Sequence, residues 1–224
     1  MKYGVFKGGY NIKHELPEWF IANHPHIQDA FEFATRAHHP QIRKFGNKDH
    51  YITHPARVAE KVFNTYVNDE SISKDVLADM VAAAFCHDVV EDTKYTTEDV
   101  LKITNYRTQT IVHGLTDLVL STDDVIKAFP GIGTTIARKV KNTINKDHNE
   151  HAVLEARLVK HCDIYDNVNC MNRHIPKTFA HRFLNEKLEF VESQLESDYN
   201  ENTLKFLCEL KTLIEQKFDI KYKA

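Results

Sequence analysis

Residues 56 to 113 contain neither glycine nor proline: no Gly lies between Gly46 and Gly114, no Pro between Pro55 and Pro130, and no Gly follows Gly133. A many-stranded sheet needs turn residues roughly every 8–12 positions, so breakers this sparse predict long helices. Apolar spacing agrees. Ile27, Ala30, Phe31 and Ala34 follow the i, i+3, i+4, i+7 pattern of a helix burying one face. Val58, Val62 and Tyr66 repeat it after Pro55, a residue suited to a first helical turn. Val76, Leu77, Met80, Val81 and Ala84 form the next stripe, with Ser73 placed to cap it. Thr96 and Asp99 resemble a capping box opening a helix through Val100 and Leu101. "FPGIGTT", from residue 129, reads as a loop, and residues 152–168 as a further helix. Leu184, Leu188, Val191 and Leu195 mark another stripe, and Leu207, Leu210 and Ile214 a last one. The expectation is one all-α domain of roughly eight to ten helices.

A chain of 224 residues is long enough for one large domain with a proper core. Its composition, 42% hydrophobic and 27% charged, is that of a globular protein. A net charge of −3 gives no general attraction to nucleic acid or anionic membrane, so neither is expected as a partner. No apolar run is long enough for a membrane span or, near the N-terminus, for a signal peptide, and a cytoplasmic protein is expected. Cys86, Cys162, Cys170 and Cys208 show no CxxC spacing, which argues against a zinc knuckle or a redox dithiol. Fourteen histidines are the outlier.

The stretch "AAAFCHDVVEDT", residues 82–93, ends an apolar run with His87, Asp88, Glu91 and Asp92. Buried unpaired charges cost several kcal/mol, on the order of 3–5, so four such groups call for water, a cation or both. On one helix the 91/92 pair would lie about 6 Å beyond the 87/88 pair, at 1.5 Å rise per residue. That separation suits a metal and carboxylates that handle a water. His54, just before a helix start, and Asp163, on an amphipathic stretch, are candidates to complete the ligand set. Imidazole mixed with carboxylate suits Mn, Fe, Co or Zn. Taken singly, such residues are more often caps or solvated helix ends.

Four segments in order give a more specific reading. "AHHPQIRKFGNKDHYITHPARVA" (37–59), "AAAFCHDVVEDT", "IVHGLTDL" (from 111) and "RLVKHCDIYDN" (157–167) together resemble the motifs of the HD-domain hydrolases of the RelA/SpoT type. In size the chain is similar to the small alarmone hydrolases. The resemblance implies an HD-domain helical bundle over residues 26–196, with residues 1–25 as an N-terminal extension and 197–224 as a C-terminal helix packed beside it. It implies that His54, His87, Asp88 and Asp163 hold one Mn2+ ion, other divalent metals being possible. It implies that Glu91 and Asp92 handle the nucleophilic water, that Arg43 and Lys44 contact the substrate, and that Tyr51 and Asn167 line a nucleotide pocket. The implied reaction removes the 3′-pyrophosphate of ppGpp or pppGpp, giving GDP or GTP. The chain is too short to hold the family's synthetase domain as well, so a stand-alone hydrolase is expected. Alternatives are a metal-dependent phosphatase for another nucleotide such as NADPH, and a non-catalytic alarmone-binding module. No oligomeric state follows from the sequence.

The chain departs from the family pattern at Ile164 and Asp166, where arginine and histidine are usual, and at His113, Asp117 and Cys170. These changes spare every proposed ligand and bear on the base and sugar pocket. Arg138, Lys139 and Lys141 read either as a second phosphate clamp or as a wet helix face, and Lys160 as a support for Asp163 or an exposed residue. His38, His39, His113 and His161 are not expected to be ligands.

Overall fold

The computed structural model describes residues 16–43 and 49–220. Twelve helical segments follow one another among them. α1 (Glu18–Asn23) and α2 (His26–Ala37) precede α3 (Thr53–Tyr66) and α4 (Lys74–Cys86). A single turn, α5 (Val89–Asp92), leads to α6 (Thr97–Ile103), α7 (Tyr106–Leu115), α8 (Thr122–Ala128) and α9 (Thr134–Glu150). α10 (Leu154–Asn169), α11 (Lys177–Leu195) and α12 (Glu201–Phe218) follow. An isolated bridge between Ile42 and His50 is the β-type pairing described. The all-α expectation holds. The segments outnumber the eight to ten expected because α1 and α5, six and four residues long, are too short to show a period.

Local chemistry sets the helix starts. The Ser73 hydroxyl accepts from the Val76 amide at 3.3 Å, and Thr96 and Asp99 form a capping box as their spacing predicts. Asn105 caps α7 by accepting from the Thr108 amide at 2.9 Å, and its own amide donates to Asp79 at 2.6 Å. Asp79 is thereby satisfied although it sits in the buried stretch of α4.

α4 is the axis of the core. Every residue from Leu77 to Cys86 is buried, the pattern of a helix enclosed on all sides. α2, α3, α7 and α10 surround it, and Ala82, Ala83 and Ala84 let those neighbours approach closely. Ile27, Ala30, Phe31 and Ala34 from α2, and Val58, Val62 and Tyr66 from α3, bury the faces their spacing marks. Gly114, in the last turn of α7, has a packing reason: a Cβ there would lie 2.9 Å from the Cβ atoms of both Ala152 and Ala156. In the predicted loop, Gly131 takes a φ of +99°, a conformation that favours glycine.

Residues outside the span of 26–196 join the same core. Leu16 and Phe20 are buried, and α12 lays Phe206, Leu207, Leu210 and Ile214 against α10 and α11. Among the described residues, no helix is long and apolar enough to cross a membrane. The packing brings three places together: the start of α3, the end of α4 and the middle of α10.

Candidate metal and active site

The sequence places residues 87–92 on one helix, and the structure corrects this. α4 stops at Cys86, His87 and Asp88 form a junction, and α5 resumes at Val89. A continuous helix would splay adjacent side chains by about 100°. At the junction Asp88 adopts φ −94° and ψ −5°, and its carboxylate comes to lie beside the His87 ring. Oδ2 of Asp88 is 3.1 Å from Nε2 of His87 and 3.5 Å from Nε2 of His54. Oδ1 of Asp163 is 3.2 Å from Nε2 of His54 and 3.6 Å from Nε2 of His87. The four expected ligands therefore converge, and donor atoms of His54, His87 and Asp163 all lie within 4.8 Å of one another.

The chemistry of this donor set fits a divalent cation. Nδ1 of His87 donates to the Ala84 carbonyl at 2.8 Å, and Nδ1 of His54 donates to Asp166 at 2.7 Å. Both bonds leave a lone pair on Nε2. The two Nε2 atoms stand 3.2 Å apart, where two lone pairs repel unless positive charge lies between them. Burial opposes charge on His87, but Asp88 and Asp163 outweigh it and raise its pKa well above the ordinary value. Asp163 is held far below the usual carboxylate range: burial opposes this, but Lys160, His54 and His87 prevail. The cluster demands a cation, and a metal meets that demand with better coordination than a proton.

A supporting layer surrounds the ligands. Asp166 accepts from His54 and also from Arg57, whose Nε and terminal nitrogen bind its two oxygens at 2.6 and 3.0 Å. Against burial, these two partners hold the Asp166 carboxyl at a pKa of about 2. The sequence treats Asp166 only as a departure from the family pattern and assigns Arg57 nothing. The signal was present: Asp163 and Asp166, and likewise His54 and Arg57, are three residues apart on one helix face. Such a carboxylate behind a ligating imidazole fixes its tautomer and orientation. Asp166→Asn is therefore expected to weaken divalent-metal binding by about 10–100-fold. Titration of metal-depleted protein checks this; unchanged affinity would show that Asp166 only packs.

Asn167 donates to Asp163 at 2.6 Å and accepts from Arg43 at 3.0 Å, so it braces a candidate ligand. Tyr51 is also closer to the chemistry than a pocket wall. Its hydroxyl lies 2.7 Å from both Asp88 and Asp92, and its ring stacks on His38 at 4.6 Å with the Arg43 guanidinium 5.6 Å above it. Lys44 lies outside the described residues. Lys160 supports Asp163 across 3.5 Å. Glu91 accepts from the Asp117 amide at 2.7 Å, and burial, ahead of the charges around it, raises its pKa to about 7. Gln41 ties the Asp92 carbonyl to His38.

Of the histidines excluded from the ligand set, His38 stacks on Tyr51 beside the site, while His113 and His161 lie elsewhere. His161 is enclosed beside Phe190 and Tyr199, and burial lowers its pKa to about 3, making it a neutral core residue. His113 faces His148. Arg138 and Lys139 are exposed, while Lys141 pairs with Asp117 at 3.2 Å.

Comparisons with known proteins point the same way. No protein-family model matches the chain. It is 26% identical, over 74% of its length and 80% of the other's, to guanosine-3′,5′-bis(diphosphate) 3′-pyrophosphohydrolase MESH1 of Xenopus tropicalis. The solved structure of a metazoan SpoT ortholog, described as hydrolysing ppGpp, shares the fold: the TM-score is 0.60, covering 83% of this chain and 93% of that one at 19% identity. The chain is similar in sequence to the first of these proteins and in fold to the second. It is also 31% identical over 76% of its length to the "Probable GTP pyrophosphokinase" of Mycobacterium leprae, of whose length it spans 19%. The small hydrolases are thus matched almost end to end and the long protein only in part.

Proposed function

We propose that this chain is a metal-dependent hydrolase that removes the 3′-pyrophosphate of ppGpp or pppGpp, leaving GDP or GTP. The observation that carries this reading is the convergence of two imidazole lone pairs and two carboxylates, with a second acidic pair one turn away. Named relatives of similar length with 3′-pyrophosphohydrolase activity support the substrate assignment.

His54, His87, Asp88 and Asp163 would hold the cation, which we take to be a single Mn2+ ion. When bound it would polarise a phosphoryl oxygen and lower the pKa of a coordinated water. Glu91 is the better base of the acidic pair. Its raised pKa, about 7, is matched to proton transfer near neutral pH, and the Asp117 amide fixes its position. Asp92, tied to Tyr51, orients the attacking water. Arg43, steadied by Asn167 and the Tyr51 ring, offers guanidinium donors to the phosphates, and Lys44 follows it in the chain. Retention of all four ligands and both acids favours catalysis over simple alarmone sensing.

The substrate is tested by incubating the manganese-loaded protein with ppGpp and with NADPH under one set of conditions and separating the products. Faster conversion of ppGpp, to GDP plus pyrophosphate, is expected. A faster release of phosphate from NADPH would replace the substrate while leaving the metal site in place.

A further inference from the structure

A cavity of about 730 Å3, within the roughly 300–1,000 Å3 range of ligand pockets, opens between α9, α10 and α11. Five lysines line it, Lys139, Lys141, Lys146, Lys160 and Lys187, against three acids, Asp117, Glu186 and Glu189. Lys141, Lys146 and Lys160 have carboxylate partners in Asp117, Glu150 and Asp163. Lys187 does not. Among the described residues no carboxylate lies within ion-pair distance of it, and its ammonium rests over the Phe183 ring, 5.3 Å from the centroid. Burial, and then the charge of Lys160, hold its pKa below the ordinary lysine value, although the more distant charges of Asp163, Glu186 and Asp117 oppose this. A partly buried ammonium facing others of like sign is costly unless an anion joins it.

The cavity also adjoins the chemistry. Lys160 in its wall touches Asp163, and Asp117 in its wall donates its amide to Glu91. We infer that this cavity is a seat for a diphosphate group, with Lys187 and Lys146 as anion-binding residues on its two flanking helices. Its natural occupant, on the reaction proposed above, is the pyrophosphate that leaves the metal site. The phosphate chain of a second nucleotide has the same chemistry and is the other source.

The test is calorimetric titration of metal-depleted protein with inorganic pyrophosphate and, separately, with GDP. Wild-type protein is expected to bind pyrophosphate. Lys187→Met should weaken that binding about tenfold or more, and Lys146→Met several-fold, as expected for loss of a charged hydrogen-bond donor. Lys187→Arg should restore it. Lys187→Met removes a partly buried charge, so its melting temperature should match or exceed the wild type. If GDP binding is unaffected by Lys187→Met, the seat serves the leaving group; if it weakens in proportion, the seat serves a nucleotide's phosphates. Pyrophosphate binding that is absent in the wild type, or unchanged in both Met variants, overturns the inference. Because no turnover is read, a protein that fails to cleave ppGpp yet binds pyrophosphate through Lys187 would refute the proposed reaction and leave the seat standing.

Discussion

Asp163→Asn is expected to lower metal-dependent hydrolysis by about a thousandfold or more, equivalent to ~4 kcal/mol of barrier. Asp163 faces both candidate ligand imidazoles, at 3.2 and 3.6 Å, and also Lys160 and Asn167. The amide is nearly isosteric but carries no charge, so the site loses half its carboxylate complement while Lys160 remains. Metal affinity should fall by more than about a hundredfold, beyond the loss expected for the supporting Asp166. Circular dichroism and a melting curve separate this from unfolding. A folded Asp163→Asn protein that binds manganese as the wild type does would remove Asp163 from the ligand set.

Glu91→Gln should cut turnover by about 10²–10⁴-fold, the usual contribution of a positioned base, while nucleotide affinity persists. The pH profile gives the sharper reading. Burial raises the Glu91 pKa to about 7, and a base must be deprotonated to act. The rate of the wild type should therefore climb with pH up to about 7 and level off above it. Stability runs the other way. A carboxyl whose pKa is raised on folding costs stability above its unfolded value, near 4.3, and the cost saturates once pH exceeds about 7. Glu91→Gln should thus be more stable than the wild type at pH 8, by up to ~4 kcal/mol at ~1.4 kcal/mol per pKa unit, and no more stable at pH 4. Full activity in the variant would pass the role of base to Asp92.

The fold was legible wherever apolar spacing was regular. The stripes of α2, α3 and α12 bury the residues their period marks, and the caps at Ser73 and Thr96 form as spelled; α4 is instead enclosed on all sides from Leu77, with Val76 of its expected stripe half-buried. α1 and α5 escaped because a turn or so of helix has no period to read. The helix break at His87 was hidden for a related reason: nothing in "FCHDVV" is a helix breaker, and the junction is set by tertiary contacts of the His and Asp side chains. The four candidate ligands were found through their order along the chain, although their convergence depends on three separate elements. The Arg57–Asp166–His54 chain was missed because its members are 109 and 112 residues apart in sequence, and because Asp166 was weighed as a missing histidine, without regard to what a carboxylate can hold. Tyr51 and Asn167 were expected to line a nucleotide pocket; their partners in the structure, Asp88, Asp92 and Asp163, could not be read from spacing.

The central claim is that one divalent cation, held by His54, His87, Asp88 and Asp163, is required to cleave pyrophosphate from ppGpp. The most direct test is to strip the protein of metal, add ppGpp, and follow GDP and pyrophosphate chromatographically as manganese is titrated in. The account predicts no product without metal, then GDP and pyrophosphate in equal amounts, reaching a plateau at one ion per chain. Full-rate product formation by the metal-free protein, or release of orthophosphate in place of pyrophosphate, would contradict it.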